Sequence, residues 1–276
     1  MTHNRMSSSL RRVLPLSAAV VAAACGVSQQ QEVEMGRQEV AQVNAQLPIL
    51  QDPVVNQYVN NLGSSIAHTT SRADLQWEFR VVNTDVVNAF ALPGGFIYVN
   101  RGVLSRASSE SELGSVLGHE IEHVVRRHSV KQMEQMQGAN VGVALGCALL
   151  NVCNSQIAGA AINVAGSAVF AKFSRDDERQ ADEGGFKNEM NAGLNPTGML
   201  TFFQKLLDEE KRTGGNGATA SWFADHPGTE DRIADVQRML SQVSSSTLAS
   251  LRSNSSAFNT MKQRLSQLPA APVAQR

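Results

Sequence analysis

The chain has 276 residues, of which 42% are hydrophobic, 18% charged and 5% aromatic, and its formal net charge is −1. That size and apolar content suit one fairly large compact domain, or one domain with appendages. A near-neutral chain poor in aromatics carries no basic footprint for nucleic acid, so no such partner is expected.

The opening MTHNRMSSSLRR is basic, and the apolar run after it, Val13 to Ala24, is too short to span a bilayer and ends in small residues. Residues 1–24 therefore read as an export signal. Ala22-Ala23-Ala24 directly before Cys25 resembles a bacterial lipobox, whose cysteine becomes the lipid-bearing first residue of the mature protein; ordinary signal cleavage is the alternative. Removing residues 1–24 takes away three arginines and no acids, moving the net charge from −1 to −4. The mature protein is thus expected in the periplasm, anchored by lipid to the outer membrane, and it is not polybasic.

From Ser28 to Gln46 a Gln- and Glu-rich stretch reads as a surface helix, and Asp52-Pro53 opens another with a cap and an N1 proline. Alternation in WEFRV, a turn at Asn83-Thr84-Asp85, then VVNAFAL, an LPGG turn and FIYVN predict a small antiparallel sheet between Leu75 and Val99. Ser109 with Glu112 forms a capping-box pattern, and Leu113, Val116, Leu117, Val124 and Val125 make the helix that follows a buried one.

Residues 138–170 are rich in Gly, Ala and Val, but Asn151, Asn154, Gln156 and Asn163 interrupt them, which weighs against a membrane span. Two readings stay open, a pair of closely packed small-residue helices and a mobile or membrane-touching hairpin. Cys147 and Cys153 fall in this stretch. In one unbroken helix a spacing of six separates them by about 9 Å along the axis, beyond the roughly 4.4–6.8 Å between Cα atoms that a disulfide spans. A bridge thus needs a turn near Asn151, and two free buried thiols are the alternative. Further helices are expected from Ser174, from Pro196 to about Glu210, and from Thr229. The predicted organisation is one main domain over 28–245 and a C-terminal helix with a disordered tail over 246–276, the tail beginning at SQLPAAPVAQR.

Residues 118–128 read GHEIEHVVRRH. On a helix, positions i and i+4 share a face, so His119 and His123 can hold one metal ion while Glu120 flanks it within reach of a water. His128, five positions on from His123, is about 140° around a continuous helix and is expected to turn away. A third histidine of the H-E-x-x-H-x-x-G-x-x-H kind is excluded because Arg126 and Ser129 stand at the required positions. The acidic candidates lie in FSRDDERQADEGG. Ser174 can cap that helix, and Asp176 and Asp177 suit its first turn. Glu178 and Asp182 share one face, with Ala181 allowing close helix approach. Glu178 is the expected third ligand, and Asp182 is expected to accept from the outward nitrogen of a ligating histidine. An ordinary acidic surface helix would be the reading if H-E-x-x-H were absent. Glu122, two positions beyond Glu120, is expected to face solvent or Arg126, and His68 is expected to be structural or exposed.

HEIEH and ERQAD, with NAFALPGGFIYVNRGVL before them and DHPGTEDRI after, resemble the zinc metallopeptidase family of the CAAX prenyl proteases, in its soluble bacterial periplasmic branch of BepA-like and LoiP-like proteins. The resemblance covers roughly residues 50–240. It implies an α+β, mainly α-helical, zincin-like (minigluzincin) domain with a small antiparallel sheet, and one zinc per chain held by His119, His123 and Glu178 with Glu120 as catalytic base. It further implies an edge strand, Asn88, Ala89, Phe90, Ala91 and Leu92, that binds extended substrate through its main chain. Relatives of the BepA type place the histidine of this His-Pro, here His226, on the zinc as a fourth ligand, which would displace the water and hold the enzyme latent; a polar surface histidine in a Gly-rich loop is the alternative. Arg232 is either an oxyanion stabiliser or a helix-surface arginine.

The function so implied is a zinc-dependent endopeptidase of the bacterial cell envelope acting on unfolded or misassembled envelope proteins. The alternative from another class is a chaperone or binding module with a structural zinc site, against which the retained Glu120 argues. A membrane-integrated processing protease is weakened by the broken apolar run at 138–170.

Overall fold

The computed structural model describes residues 26–136 and 173–272. The export signal with Cys25, the pairing of Cys147 with Cys153 and the stretch 138–170 lie outside the described residues.

Helix α1 (Gln29–Gln46) begins in a capping box, with the Ser28 hydroxyl accepting from Gln31 N and the Gln31 side chain accepting from Ser28 N. Its polar sequence reads as a surface helix, yet it buries Glu32, Gly36, Glu39 and Val43 along one face. Helix α2 (Pro53–Ala67) starts as expected at an Asp52 cap with proline at N1, and buries Val55, Val59, Leu62 and Ile66 at helical spacing.

Three strands follow, β1 (Glu78–Val82), β2 (Ala89–Leu92) and β3 (Phe96–Asn100), in the order β1-β3-β2. The β2–β3 hairpin is antiparallel as expected, turning through Gly94 at φ 85° and Gly95 at φ 105°, where a side chain would be strained. The expectation for β1 is corrected: it pairs parallel to β3, so the sheet is mixed. The reason lies in the segment between β1 and β2, which does not fold back on β1. Asn83 N bonds Pro48 O, Val87 N bonds Ala218 O and the Thr84 carbonyl receives Gly102 N, so the chain is carried past the place that β3 later fills. β3 is apolar almost throughout and buried at every position, which suits the central strand.

Helix α3 (Arg101–Arg106) leads to α4 (Glu110–Val125), buried from Glu110 to Val124. The capping box expected at its start is half formed. Ser109 accepts from Glu112 N at 3.2 Å, but the Glu112 carboxylate accepts from Ser108 N at 2.7 Å, one residue earlier than the pattern predicts, because Lys205 also draws it outward. A turn at Arg126-Arg127 ends α4, and helix resumes over 128–136. Helix α5 (Arg175–Asn191) starts at a Ser174/Asp177 capping box. Then come α6 (Thr197–Thr213), α7 (Ala220–Asp225), α8 (Thr229–Ser241), α9 (Ser245–Ser250) and α10 (Ser256–Gln267).

α10 drives Phe258, Met261 and Leu265 into the same core as α2 and α4, so the C-terminal segment completes that core. The tail is also ordered further than its composition suggests. Arg101 donates to the Pro269 carbonyl at 2.5 Å, and Ala271 is buried. Among the described residues, no helix is long and apolar enough to cross a membrane.

The pair that carries His119, His123 and Glu178 is α4 and α5. A Cβ at Gly184 would lie 2.1 Å from the Glu122 carboxyl, and one at Gly185 would lie 3.0 Å from the backbone of Gly118 and His119. The two helices therefore meet backbone to backbone, and Ala181, fully buried between them, extends the narrow seam toward Glu178.

Candidate metal centre

The i, i+4 spacing on α4 brings His119 and His123 together, with their Nε2 atoms 3.0 Å apart. From α5, Glu178 reaches both, its Oε2 3.5 Å from His119 Nε2 and its Oε1 3.5 Å from His123 Nε2. From the turn between α7 and α8, His226 brings Nδ1 to 3.3 Å from His119 Nε2 and 3.2 Å from Glu178 Oε2. One donor atom from each of these four buried residues lies within 4.8 Å of all the others.

The set fits a zinc ion. A tetrahedral ion with bonds of about 2.0–2.1 Å holds its donors about 3.3 Å apart, and the contacts of His119 and Glu178 with the other donors run from 3.0 to 3.5 Å. The tautomers agree as well. His119 Nδ1 donates to Asp182 Oδ1 at 2.9 Å, as expected from the sequence, leaving a lone pair on Nε2 aimed at the cluster. His226 Nε2 lies 3.4 Å from the Ala89 carbonyl, which can only accept, so its Nδ1 also offers a lone pair inward. Lone pairs converging this closely repel unless a proton or a metal cation lies between them.

Electrostatics follow from burial. Burial lowers His119 to about 3 despite its acidic neighbours, keeping the ring neutral. Burial alone would raise Glu178, but His226, Arg232 and His119 outweigh it and hold the carboxyl well below its usual range. Burial would likewise lower His226, yet Glu178 and then Glu120 raise it to about 9. A metal ion at the cluster competes with that proton for Nδ1.

Glu120 is fully buried, neither of its oxygens has a hydrogen-bond partner among the described residues, and burial raises its pKa. Its Oε1 lies 3.6 Å from His226 Nε2, so the carboxyl borders the cluster without belonging to the donor set.

Arg232 is not a surface arginine. It is 4% exposed, forms a two-pronged pair with Asp182 at 2.7 Å on both oxygens, and places Nη1 2.8 Å from Glu178 Oε2. Its guanidinium also lies over the Phe203 ring, 4.5 Å from the centroid. Its charge lies beside two carboxylates, and its hydrogen-bonded fork fixes the orientation of Asp182.

Other expectations meet mixed outcomes. Glu122 does pair with Arg126, at 2.8 Å, but it is buried and also accepts from Asn188, so it does not face solvent. His68 is exposed, bonding only its own helix. His128 does not turn away: it is buried, with its Nδ1 3.0 Å from His123 Nδ1. The separation of about 140° holds only on a continuous helix, and the turn at Arg126-Arg127 breaks it. Asn88 precedes β2 and donates to Asp225 Oδ2 at 2.8 Å, tying the strand to the end of α7, while Ala89–Leu92 form the sheet edge.

Two contributors escaped sequence reading. Trp222 packs beneath His226 with ring centroids 4.5 Å apart, and Phe173 stacks on His123 at 4.0 Å. Nothing in local spacing marks either, because both meet the site only through the tertiary fold.

A helix-borne H-E-x-x-H, a glutamate from a second helix and a small sheet beside them define a zincin-like metallopeptidase, mainly helical and α+β in class. Residues 53–240 match peptidase family M48, and the chain belongs to that family, whose metal is zinc. It is 32% identical over 220 residues to the beta-barrel assembly-enhancing protease of Escherichia coli K12, covering 77% of this chain and 44% of that protein. It is 29% identical over 167 residues to the metalloprotease LoiP of the same organism, covering 59% of this chain and 62% of LoiP. To the mitochondrial metalloendopeptidase OMA1 of Schizosaccharomyces pombe it is 29% identical over 183 residues, 66% of this chain and 52% of the relative. The chain thus spans less than half the length of the beta-barrel assembly-enhancing proteases it matches.

Proposed function

We propose that this chain is a zinc-dependent endopeptidase of the bacterial cell envelope, acting on unfolded or misassembled envelope proteins and held latent by His226. The observation that carries the reading is the juxtaposition of two kinds of group: a compact donor set, His119, His123, Glu178 and His226, and beside it a buried Glu120 carboxyl with no hydrogen-bond partner among the described residues. A chaperone or binding module with a structural zinc needs the four donors alone and gains nothing from a buried carboxyl beside them, whose burial costs stability.

His119, His123 and Glu178 would hold the zinc. When bound, the metal lowers the pKa of a water it carries and polarises the scissile carbonyl. Glu120 takes the proton from the attacking water and returns it to the leaving amine, a role that suits a carboxyl whose pKa burial has raised. Asp182 holds the His119 ring through Nδ1, and Arg232 keeps Asp182 and Glu178 ionised and in place. The edge strand at Asn88, Ala89, Phe90, Ala91 and Leu92 offers main-chain groups to an extended substrate, and an unfolded segment can pair with a sheet edge in that way. While His226 completes the donor set, water lacks a place there.

The envelope location rests on the export signal at residues 1–24 and the lipobox-like approach to Cys25, with lipid anchoring to the outer membrane as its finer form. The similarity to beta-barrel assembly-enhancing proteases supports substrates drawn from envelope assembly.

The test is metal removal and return. Cleavage of an unfolded protein should vanish when a chelator strips the purified chain and return with one equivalent of zinc; cleavage that survives full stripping rejects the reading.

A further inference from the structure

The outward nitrogens of the two histidines on α4 are held differently. His119 donates to a carboxylate, Asp182. Among the described residues His123 has no carboxylate there; its Nδ1 lies 3.0 Å from Nδ1 of His128, with the two rings edge to face. Resting on the zinc reading above, we propose that His128 is a positioning residue for His123, accepting the proton on its Nδ1 and so presenting its Nε2 lone pair to the metal.

The proton count leaves one arrangement. Two ring nitrogens 3.0 Å apart need a single proton between them. If His123 Nε2 is to bind a cation, the proton of the neutral ring sits on His123 Nδ1, and His128 Nδ1 must be bare. His128 then carries its proton on Nε2, which faces Asp177 Oδ1 at 3.5 Å. Asp177 is itself fixed by the Ser174 capping box at the start of α5. His119 is thus oriented by a carboxylate of α5, Asp182, and His123 by the neighbouring imidazole of His128.

The placement of His128 is built, not incidental. On a continuous helix it would lie about 140° around from His123. Arg127 instead adopts φ 58°, a left-handed conformation rare for a residue with a side chain. Two anchors hold it there: its Nε donates to Glu32 Oε2 at 2.8 Å, and its guanidinium also donates to the Val27 carbonyl. Glu32 is fully buried and pinned in turn by Arg72 at 2.8 Å. A helix that precedes the matched family region thus sets the turn that returns His128 to the metal ligand.

The experiment compares zinc and Co2+ dissociation constants, by chelator competition on the full chain, for wild type, His128→Leu and His128→Asn. Asparagine keeps an acceptor oxygen where Nδ1 stood, while leucine keeps the branching without it. The leucine variant should bind zinc roughly 10- to 100-fold more weakly, as losing such an orienting partner does, while the asparagine variant recovers most of that loss. Equal binding by wild type and leucine variant, or equal loss in both variants, overturns the proposal. A wild-type chain that binds no zinc overturns the metal-centre reading and this role with it, whereas tight zinc binding indifferent to residue 128 overturns this role alone. Imidazole 15N shifts of the zinc-loaded wild type give a check independent of how the variants fold. His128 should show a bare Nδ1 and a protonated Nε2, and a protonated Nδ1 rejects the arrangement.

Discussion

His226 Nε2 lies 3.4 Å from the carbonyl oxygen of Ala89, while Nδ1 of the same ring lies 3.2 Å from Glu178. One imidazole thus joins the edge strand to the donor cluster. In the proposed latent state it occupies the fourth metal position and a main-chain acceptor at the end of β2 together, so opening the turn frees both.

His226→Ala should therefore raise cleavage of an unfolded substrate while weakening zinc retention, since one of four donors is lost. If the open form is a minor state of about 1–10%, the gain is on the order of 10- to 100-fold. Zinc content and rate measured together on this variant separate the roles: a fall in rate at full zinc occupancy would mean that His226 acts in the reaction, and no change in either would make it structural.

Arg232 gives the second prediction. Its side chain is 4% exposed and compensates two buried carboxylates, so Arg232→Ala leaves Glu178 and Asp182 facing each other unneutralised. Breaking such a buried pair costs about 3–5 kcal/mol. Denaturant unfolding of the metal-free protein should show that loss, and bound zinc should restore part of it by supplying positive charge. The exposed pair of Arg175 with Asp231 serves as the control, and its removal should leave stability unchanged.

What could be read from the sequence divides along local and tertiary lines. His119, Glu120, His123, Glu178 and Asp182 were legible because their geometry is set within single helices, by i, i+4 spacing and a capped start. Asp52-Pro53 and Ser174 were legible for the same reason. His128 was not, since its place depends on a left-handed turn that Glu32 holds from about a hundred residues away in sequence. Arg232 in an amphipathic helix looks like any surface arginine until α8 is laid against α5. The parallel pairing of β1 was hidden as well, because alternation reports which face of a strand is buried and says nothing of its neighbour's direction.

Glu39 gives a pH dependence away from the site. It lies on α1, nearly buried, and burial raises its carboxyl from 4.5 to about 7. The folded protein therefore keeps a proton that the unfolded chain has already released between those values. Its destabilising effect is absent below about pH 4.5, grows as pH rises, and is complete above about 7. Glu39→Gln should stabilise the protein at pH 8 by on the order of 1–2 kcal/mol, allowing for partial solvent screening, and by little at pH 4.5. Denaturant midpoints of both proteins at the two pH values check this, and a gain of equal size at both would locate the effect in packing.

The most direct measurement on the peptidase reading is Glu120→Gln, assayed for zinc content, thermal stability and cleavage of an unfolded protein. The amide fits the same buried space but cannot take a proton from water. Zinc should remain near one per chain and the fold should be intact, while cleavage falls on the order of 100- to 10,000-fold, the usual worth of a positioned base. Undiminished turnover at full zinc occupancy would contradict the account.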